Sequence, residues 1–391
     1  MRLPGAYTPK NIKVTSNPDK RRIGFLVNPV AGMGGKVALK GTDGEDTLRR
    51  ALELGAEPQA EARAERALDE FRDEAKDAVF LTAGGQMGAD LLEKNGLTYE
   101  VVLEVGKKTT FADTQEAVKR MLDAGAQSIV FAGGDGTARN VCEVAGDKIP
   151  VVGIPAGVKI HSGVYANRPA EAGMLVKEML QGKVRRYREA EVMDIDEEAF
   201  RGGIVSAKLY GYMRVPDNRR FMQDRKSGSS RKDAYETDAI AAWVTENMQA
   251  GALYLIGSGS TTKAVMDRME LRSTLLGVDA VSDKKLLARD MNEQEILALM
   301  EKYPQSKRNL IITVIGGQGH IFGRGNQQLS PKVLMLIPKE NITIIAAPSK
   351  MTELFGKSLI SDTGDSALDK KFIGYMPVVT GFGRKIMARV A

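Results

Sequence analysis

"IVFAGGDGTARNV", Ile129 to Val141, is an apolar run that ends in a glycine turn and passes into a helical period. A buried strand feeding such a turn is half of a βαβ unit. Outward from it the pattern recurs. "RRIGFLVN" ends in "PVAGMGGK", "DAVFLT" ends in "AGGQMGAD", "IPVVGI" ends in "PAGVKIHSG", and "YEVVLEV" leads into the helical "FADTQEAVKRMLDAG". Short β-branched runs between helical periods predict a parallel sheet buried on both faces, an α/β domain. Such sheets bind ligands beyond the carboxyl ends of their strands, so four glycine loops there predict one rim of a single site. The helical "RPAEAGMLVKEMLQGK" closes this domain, expected over residues 1–185.

Past Arg186 the texture changes. "RYREAEVMDI" and "GGIVSAKLYGYMRV" read as longer alternating strands paired antiparallel, and "DAIAAWVTENMQAG" reads as a helix. "ALYLIGSGSTTKAVMDRM" and "NLIITVIGGQGHIFGRGNQQLS" repeat strand, glycine loop and helix, and "KKFIGYMPVVTGFGRKIMARV" reads as two strands. Residues 186–391 are expected to form a second, strand-rich α+β domain. A chain of 391 residues is long enough for two cores, and the cleft between them is the expected active site.

Composition narrows the function. Hydrophobic residues make up 43% and charged residues 27%, the balance of a soluble globular chain. The net charge of +6 comes from 56 basic against 50 acidic residues, which suits small anions and argues against nucleic acid as a partner. With Cys142 the only cysteine, no intrachain disulfide can form, which fits a reducing cytoplasm. His161 and His320 are the only histidines, so a multi-histidine metal site is excluded while carboxylates remain open to Mg²⁺. No metal ligand is directly assignable. The first residues lack an apolar signal core and no apolar run approaches membrane-spanning length, so the expectation is a cytoplasmic protein without a membrane partner.

The familiar nucleotide motifs are missing. "MTELFGKS" has Met351 where the phosphate loop G-x-x-x-x-G-K-S/T needs glycine, and "GGQGHIFG" is one residue too long for G-x-G-x-x-G. "GGDGT" is the sharper feature. Gly133, Gly134 and Gly136 free the backbone to turn its N–H groups inward as an anion nest, and the helix expected from about Thr137 adds its positive end. Asp135 would repel phosphate there unless Mg²⁺ or a substrate hydroxyl stands between them. The alternative is structural: Asp135 bonds its own turn and Thr137 caps a helix.

Other loops supply donors. Lys159, His161 and Ser162 in "PAGVKIHSG" suit a phosphate, or else are a surface lysine and a histidine that bonds loop backbone. Asn28 follows the first strand, where it either borders a triphosphate or forms an Asn-Pro turn. Gly257, Ser258, Gly259, Ser260 and Thr261 form another nest before a helix, suited to phosphate or ribose. His320, Arg324 and Asn326 are possible substrate contacts. "GGQMGAD" has fewer donors and reads as packing.

"GGDGT" after a strand, followed by "VVGIPAG", resembles the superfamily of NAD kinases and diacylglycerol-type lipid kinases. The wider set "GFLVNPVAGMGGKVALKGTDG", "IPAGVKIHSGVYA", "IGSGSTTKA", "GGQGHIFGRGNQQ" and "DTGDSALDKKFIGYMPVVTGFG" resembles the ATP-NAD kinase-like group that includes the acetoin-catabolism protein X. The resemblance implies a Rossmann-like N-terminal domain, a strand-rich second domain, and nucleotide held between. It implies ATP and Mg²⁺ as cofactors, NAD as the acceptor phosphorylated on its adenosine 2′-hydroxyl to NADP, and association into homo-oligomers. The motif aspartate of such kinases sits beside the transferring phosphate and the acceptor hydroxyl, which here is Asp135. The sequence departs from the NAD kinase pattern in lacking a clear Asn-Asp or Asn-Glu pair, and Arg139-Asn140 is closer to the lipid-kinase G-G-D-G-T-x-N form. Another small hydroxyl metabolite as acceptor, or a nucleotide-binding regulator without turnover, are the alternatives.

Overall fold

Short apolar runs form strands where the alternation of strand and helix patterns places them: β1 (Arg21–Val27), β2 (Ala78–Ala83), β3 (Tyr99–Leu103), β4 (Ser128–Gly133) and β5 (Val151–Pro155). The computed structural model describes residues 20–39, 45–158, 160–195, 207–218, 220–223, 231–274, 276–354 and 356–391. The five strands make one parallel sheet in the order β3-β2-β1-β4-β5. Every residue of β4 and β5 is buried, as strands covered on both faces must be.

Among the described residues, helices lie between and after these strands: α1 (Glu45–Glu53), α2 (Ala60–Asp69), α3 (Ala89–Lys94), α4 (Phe111–Asp123), α5 (Asp135–Ala145) and α6 (Pro169–Leu180). Thr110 and Asp113 close a capping box on α4, and Pro169 opens α6 where a missing N–H costs nothing. In α6, a Cβ on Gly173 would fall 2.1 Å from the Ala67 carbonyl oxygen, so only glycine lets α2 and α6 cross this closely.

The chain winds from β1 out to β3, then returns to β4 on the other side of β1. That reversal makes the carboxyl ends of β1 and β4 the crevice of the sheet, and the turns bearing Asn28 and Asp135 leave from those two ends.

β6 (Tyr187–Ile195) and β7 (Ala207–Pro216) form the expected antiparallel pair, with a bulge at Val192/Met193. The "GGIVS" start of the second expected strand lies outside the described residues.

A second sheet follows. It comprises β8 (Leu253–Ile256), β9 (Asp279–Ser282), β10 (Lys285–Ala288), β11 (Arg308–Thr313), β13 (Ile342–Ile345), β15 (Gly374–Gly381) and β16 (Arg384–Val390), ordered β10-β9-β8-β11-β13-β15-β16. β12 (His320–Phe322) and β14 (Ile360–Ser361) pair apart from it. The four central strands β8, β11, β13 and β15 are parallel, and β9, β10 and β16 are antiparallel additions at the edges. Leu253, Leu255, Leu310 and Ile312 face one core. Tyr254, Ile256 and Ile311 face the other, beneath Ile240 and Val244 of the helix Arg231–Glu246.

The described residues group into two units that interleave along the chain rather than dividing once near residue 185. Those up to Pro29, Ala60–Pro155 and Val164–Met222 form one, and Val30–Gln59, Ala156–Gly163 and those from Gln223 form the other. The hairpin β6–β7 joins the first unit because Ala190, Val192, Met213 and Val215 are buried there and the Cys142 thiol of α5 donates to the Tyr212 carbonyl. No helix among the described residues is long and apolar enough to cross a membrane.

Candidate active site

In the first unit the site is built on the end of β4. Gly134 is extended, and α5 begins at Asp135 rather than near Thr137, so Asp135 occupies the first helical position and Gly134 is the cap. Neither Asp135 nor Thr137 is the capping residue. Asp135 is only 6% exposed, and its negative charge lies at the positive end of the helix.

Thr137, in the first turn of α5, is held by Asn28. Its hydroxyl oxygen accepts from the Asn28 amide at 2.9 Å, while the Asn28 backbone N–H donates to the Ala132 carbonyl at 2.9 Å. A Cβ on Gly133 would lie 2.4 Å from both Cβ and Oγ1 of Thr137, so the turn closes this tightly only with glycine there. Thus the end of β1 and the end of β4 are tied through one amide.

Tyr165 braces the same turn. Its hydroxyl donates to the Gly134 carbonyl at 2.5 Å, and its ring stands edge-on to Phe131 at 5.4 Å between centroids. Gly153 in β5 makes room for it, because a Cβ there would fall 2.5 Å from the ring. No sequence signal marked Tyr165; its partner is a backbone carbonyl 31 residues away. Four residues beyond Asp135, the Arg139 guanidinium bonds Asp194 of β6 at 2.8 Å and lies 5.3 Å from the centre of the Tyr210 ring, while Asn140 is buried.

In the second unit four glycine loops meet. Ser258 donates its hydroxyl proton to the Gly325 carbonyl at 2.8 Å, and the Gly325 N–H donates to the Val158 carbonyl at 3.1 Å. The Gln327 and Gln318 amides reach the Val158 and Ile160 carbonyls at 2.8 and 3.1 Å. Gly32 approaches Ala156 so closely that a Cβ would lie 2.0 Å from its oxygen. The loops around Gly32, Val158, Ser258 and Gly325 therefore form one cluster. It carries half-buried His161 and fully buried Ser162; Lys159 lies outside the described residues.

The Gly257–Thr261 nest leads, as its glycines required, into the helix Ser260–Arg268. Gly259 has φ +134°, and a Cβ there would meet Thr313 at 2.5 Å. Thr261 and Thr313 are both buried, and the Lys350 ammonium donates to their hydroxyls at 2.9 and 3.4 Å. Lys350 and Thr313 were not singled out in the sequence. Each follows the same rule as the loops that were, a polar residue at or just beyond the carboxyl end of a buried parallel strand.

His320 sits on β12 and Arg324 in the turn after it, both buried. Asn326 bonds within its own turn: its carbonyl oxygen accepts from the Gly323 N–H at 3.1 Å and its amide donates to the Ile321 carbonyl at 2.9 Å. Asp362 is buried beside this turn, where a Cβ on Gly323 would fall 1.6 Å from the Asp362 carbonyl oxygen.

The family model of the ATP-NAD kinase N-terminal domain matches residues 23–184, and that of the ATP-NAD kinase C-terminal domain matches residues 250–390. Neither the curated proteins nor the solved structures give a match. On both domains together, the chain belongs to the ATP-NAD kinase family and is a kinase.

Proposed function

We propose that this kinase transfers the γ-phosphoryl group of ATP to the adenosine 2′-hydroxyl of NAD, giving NADP and ADP. The observation that carries the reading is Asp135, a buried carboxylate at the first position of α5 on a glycine turn suited to phosphate, in a chain of this family. A nest that only held an anion gains nothing from a carboxylate. One that must address a hydroxyl beside a phosphate does.

Asp135 accepts the hydrogen bond of the acceptor hydroxyl and takes its proton as the new O–P bond forms and the bond to ADP breaks. The amides of Gly133, Gly134, Gly136 and Thr137 meet phosphate oxygens, and Asn28 holds the turn in register. Within the second unit, His161, Ser162 and the Gly257–Thr261 nest are donors suited to phosphate or ribose, and His320 and Arg324 are suited to a substrate.

Among the described residues no group of three or more His, Cys, Asp or Glu side chains is placed to hold a metal ion. Magnesium is commonly held by one or two carboxylates with substrate phosphates and water, so Asp135 together with a triphosphate fits it; when bound it neutralises phosphate charge. A second reading keeps the chemistry and changes the acceptor to another small hydroxyl metabolite. It is favoured by Arg139, which stands directly beyond the motif and is turned toward Asp194 and Tyr210.

The test is incubation of purified protein with Mg-ATP and, separately, NAD, NADH and small polyols, with ADP and phosphorylated product followed. NADP formed with NAD supports the reading. ADP released only with another acceptor selects the second, and nucleotide binding without turnover contradicts both.

A further inference from the structure

We propose that Gln318 and Gln327 are positioning residues, which fix through the carbonyls of Ile160 and Val158 the loop that presents His161 to its ligand. This rests on the kinase reading above, in which His161 is a donor to phosphate or ribose, and adds what sets its place.

The first observation is the state of the loop. Ala156, Val158, Ile160 and Ser162 are buried, yet residues 156–158 and 160–162 belong to no helix or strand. A buried backbone without a ladder must find its hydrogen bonds elsewhere, because an unpaired group there is costly. The Val158 carbonyl accepts from the Gly325 N–H at 3.1 Å and from the Gln327 amide at 2.8 Å, and the Ile160 carbonyl accepts from the Gln318 amide at 3.1 Å. That last oxygen belongs to the peptide that joins Ile160 to His161. A donor on it sets the peptide plane from which His161 leaves.

The second observation is how the two amides are delivered. Gln318, only 4% exposed, stands in the turn after β11, between Gly317 at φ +73° and Gly319 at φ +79°. The Ile315 carbonyl accepts from the Gln318 and Gly319 N–H groups at 3.3 and 2.8 Å, and a Cβ on Gly319 would lie 3.3 Å from the Ser358 carbonyl oxygen. The turn is thus held tightly by backbone and glycine, and its own bonds ask for no side-chain amide. Two residues on it enters buried His320, so one hydrogen bond joins the segments that carry the chain's two histidines.

Gln327 is half-buried and laid along Gly35, where a Cβ would fall 2.9 Å from the Gln327 Cβ. Its Oε1 is buried without a hydrogen-bond partner among the described residues. Turning the amide over would set Oε1 against the Val158 carbonyl, two acceptors face to face. The bond to Val158 is kept although it leaves that oxygen unpaired, which marks the loop carbonyl as the group being served. Both donors are neutral, so neither competes with His161 for an anion as a lysine or arginine in the same place would.

The experiment is a double-mutant cycle in the full chain: Gln318→Met, His161→Ala and the two together, titrated calorimetrically with Mg-ATP and, separately, with NAD, with a melting curve for each protein. Met keeps the volume of Gln and removes the donor. His161→Ala should weaken one of the two ligands by about 10-fold, the loss of one hydrogen bond to a polar ligand group. Gln318→Met should weaken that same ligand by about 3- to 10-fold and add less than about twofold in the His161→Ala background, because the two residues act as a unit. A residue that only stabilises the fold would lower the melting temperature and leave the affinity of the folded protein unchanged, or lower it equally in both backgrounds. Gln327→Met should show the same dependence on His161 to a smaller degree, and it carries the test if Gln318→Met does not fold. Wild-type affinity for both ligands in His161→Ala, or in the folded glutamine variants, overturns the proposal, as does a loss of equal size in both backgrounds. A wild-type protein that forms no NADP while showing this cycle with Mg-ATP refutes the acceptor proposed above and leaves this inference standing.

Discussion

Gly133→Ala tests the turn at its tightest point. The added Cβ would sit 2.4 Å from Cβ and Oγ1 of Thr137 and 2.7 Å from its Cγ2, against an ordinary contact of about 3.5–4 Å. Thr137 cannot rotate out of the way without surrendering the Asn28 amide, and it is built into the first turn of α5. The remaining relief is a shift of the amino end of α5, with Asp135 on it, by about an ångström. Overpacking of this kind costs about 1–3 kcal/mol, which lowers the melting temperature by several degrees. The catalytic penalty should be larger than the stability penalty, because a misplacement of about 1 Å in a reacting geometry is worth about a hundredfold in rate. Thermal melting and kcat of Gly133→Ala check both numbers. The double variant Gly133→Ala, Thr137→Gly removes all three clashing atoms and should be less destabilised than the sum of its single changes. Wild-type melting and turnover in Gly133→Ala would refute the packing and the role given to the turn.

Tyr165→Phe keeps the ring against Phe131 and removes the bond to the Gly134 carbonyl, so it should destabilise by about 1 kcal/mol and lower kcat, as read by melting and steady-state assay. Gly259→Ala places a methyl in a left-handed backbone and against Thr313, and should lower the melting temperature and weaken Mg-ATP binding together, measured on the same preparation. Burial, with a smaller contribution from Glu143, pushes the Cys142 thiol above its ordinary pKa, so less of it is thiolate at pH 8 than in a free cysteine. Alkylation by iodoacetamide should accordingly be slower than for a model thiol at that pH and should rise with pH above it.

The strand and loop order of the first sheet was readable because parallel buried strands leave continuous apolar runs and their ends need glycine. "GGDGT" on β4 and "GSGSTT" on β8 fell where that logic put them. Three features could not be read. Tyr165 acts through a backbone carbonyl, and the glycine that admits it, Gly153, lies in a strand where nothing distinguishes it from packing. Lys350 follows β13 in "APSKMTE", which has no glycine to draw attention to it. The interleaving of the units depends on hydrogen bonds between loops more than 150 residues apart, such as Gln327 to Val158, and no local period encodes such contacts. Asn326 shows the reverse limit: an amide in a glycine loop reads as a donor for substrate, and here it bonds its own turn.

The central claim is that Asp135 addresses the acceptor hydroxyl in phosphoryl transfer to NAD. The direct measurement is NADP formation from NAD and Mg-ATP by wild type and by Asp135→Asn, with folding of the variant verified by its melting curve. The account predicts NADP from the wild-type protein and a loss of kcat by orders of magnitude in a folded Asn variant that still binds Mg-ATP. Near-normal NADP production by folded Asp135→Asn would contradict it.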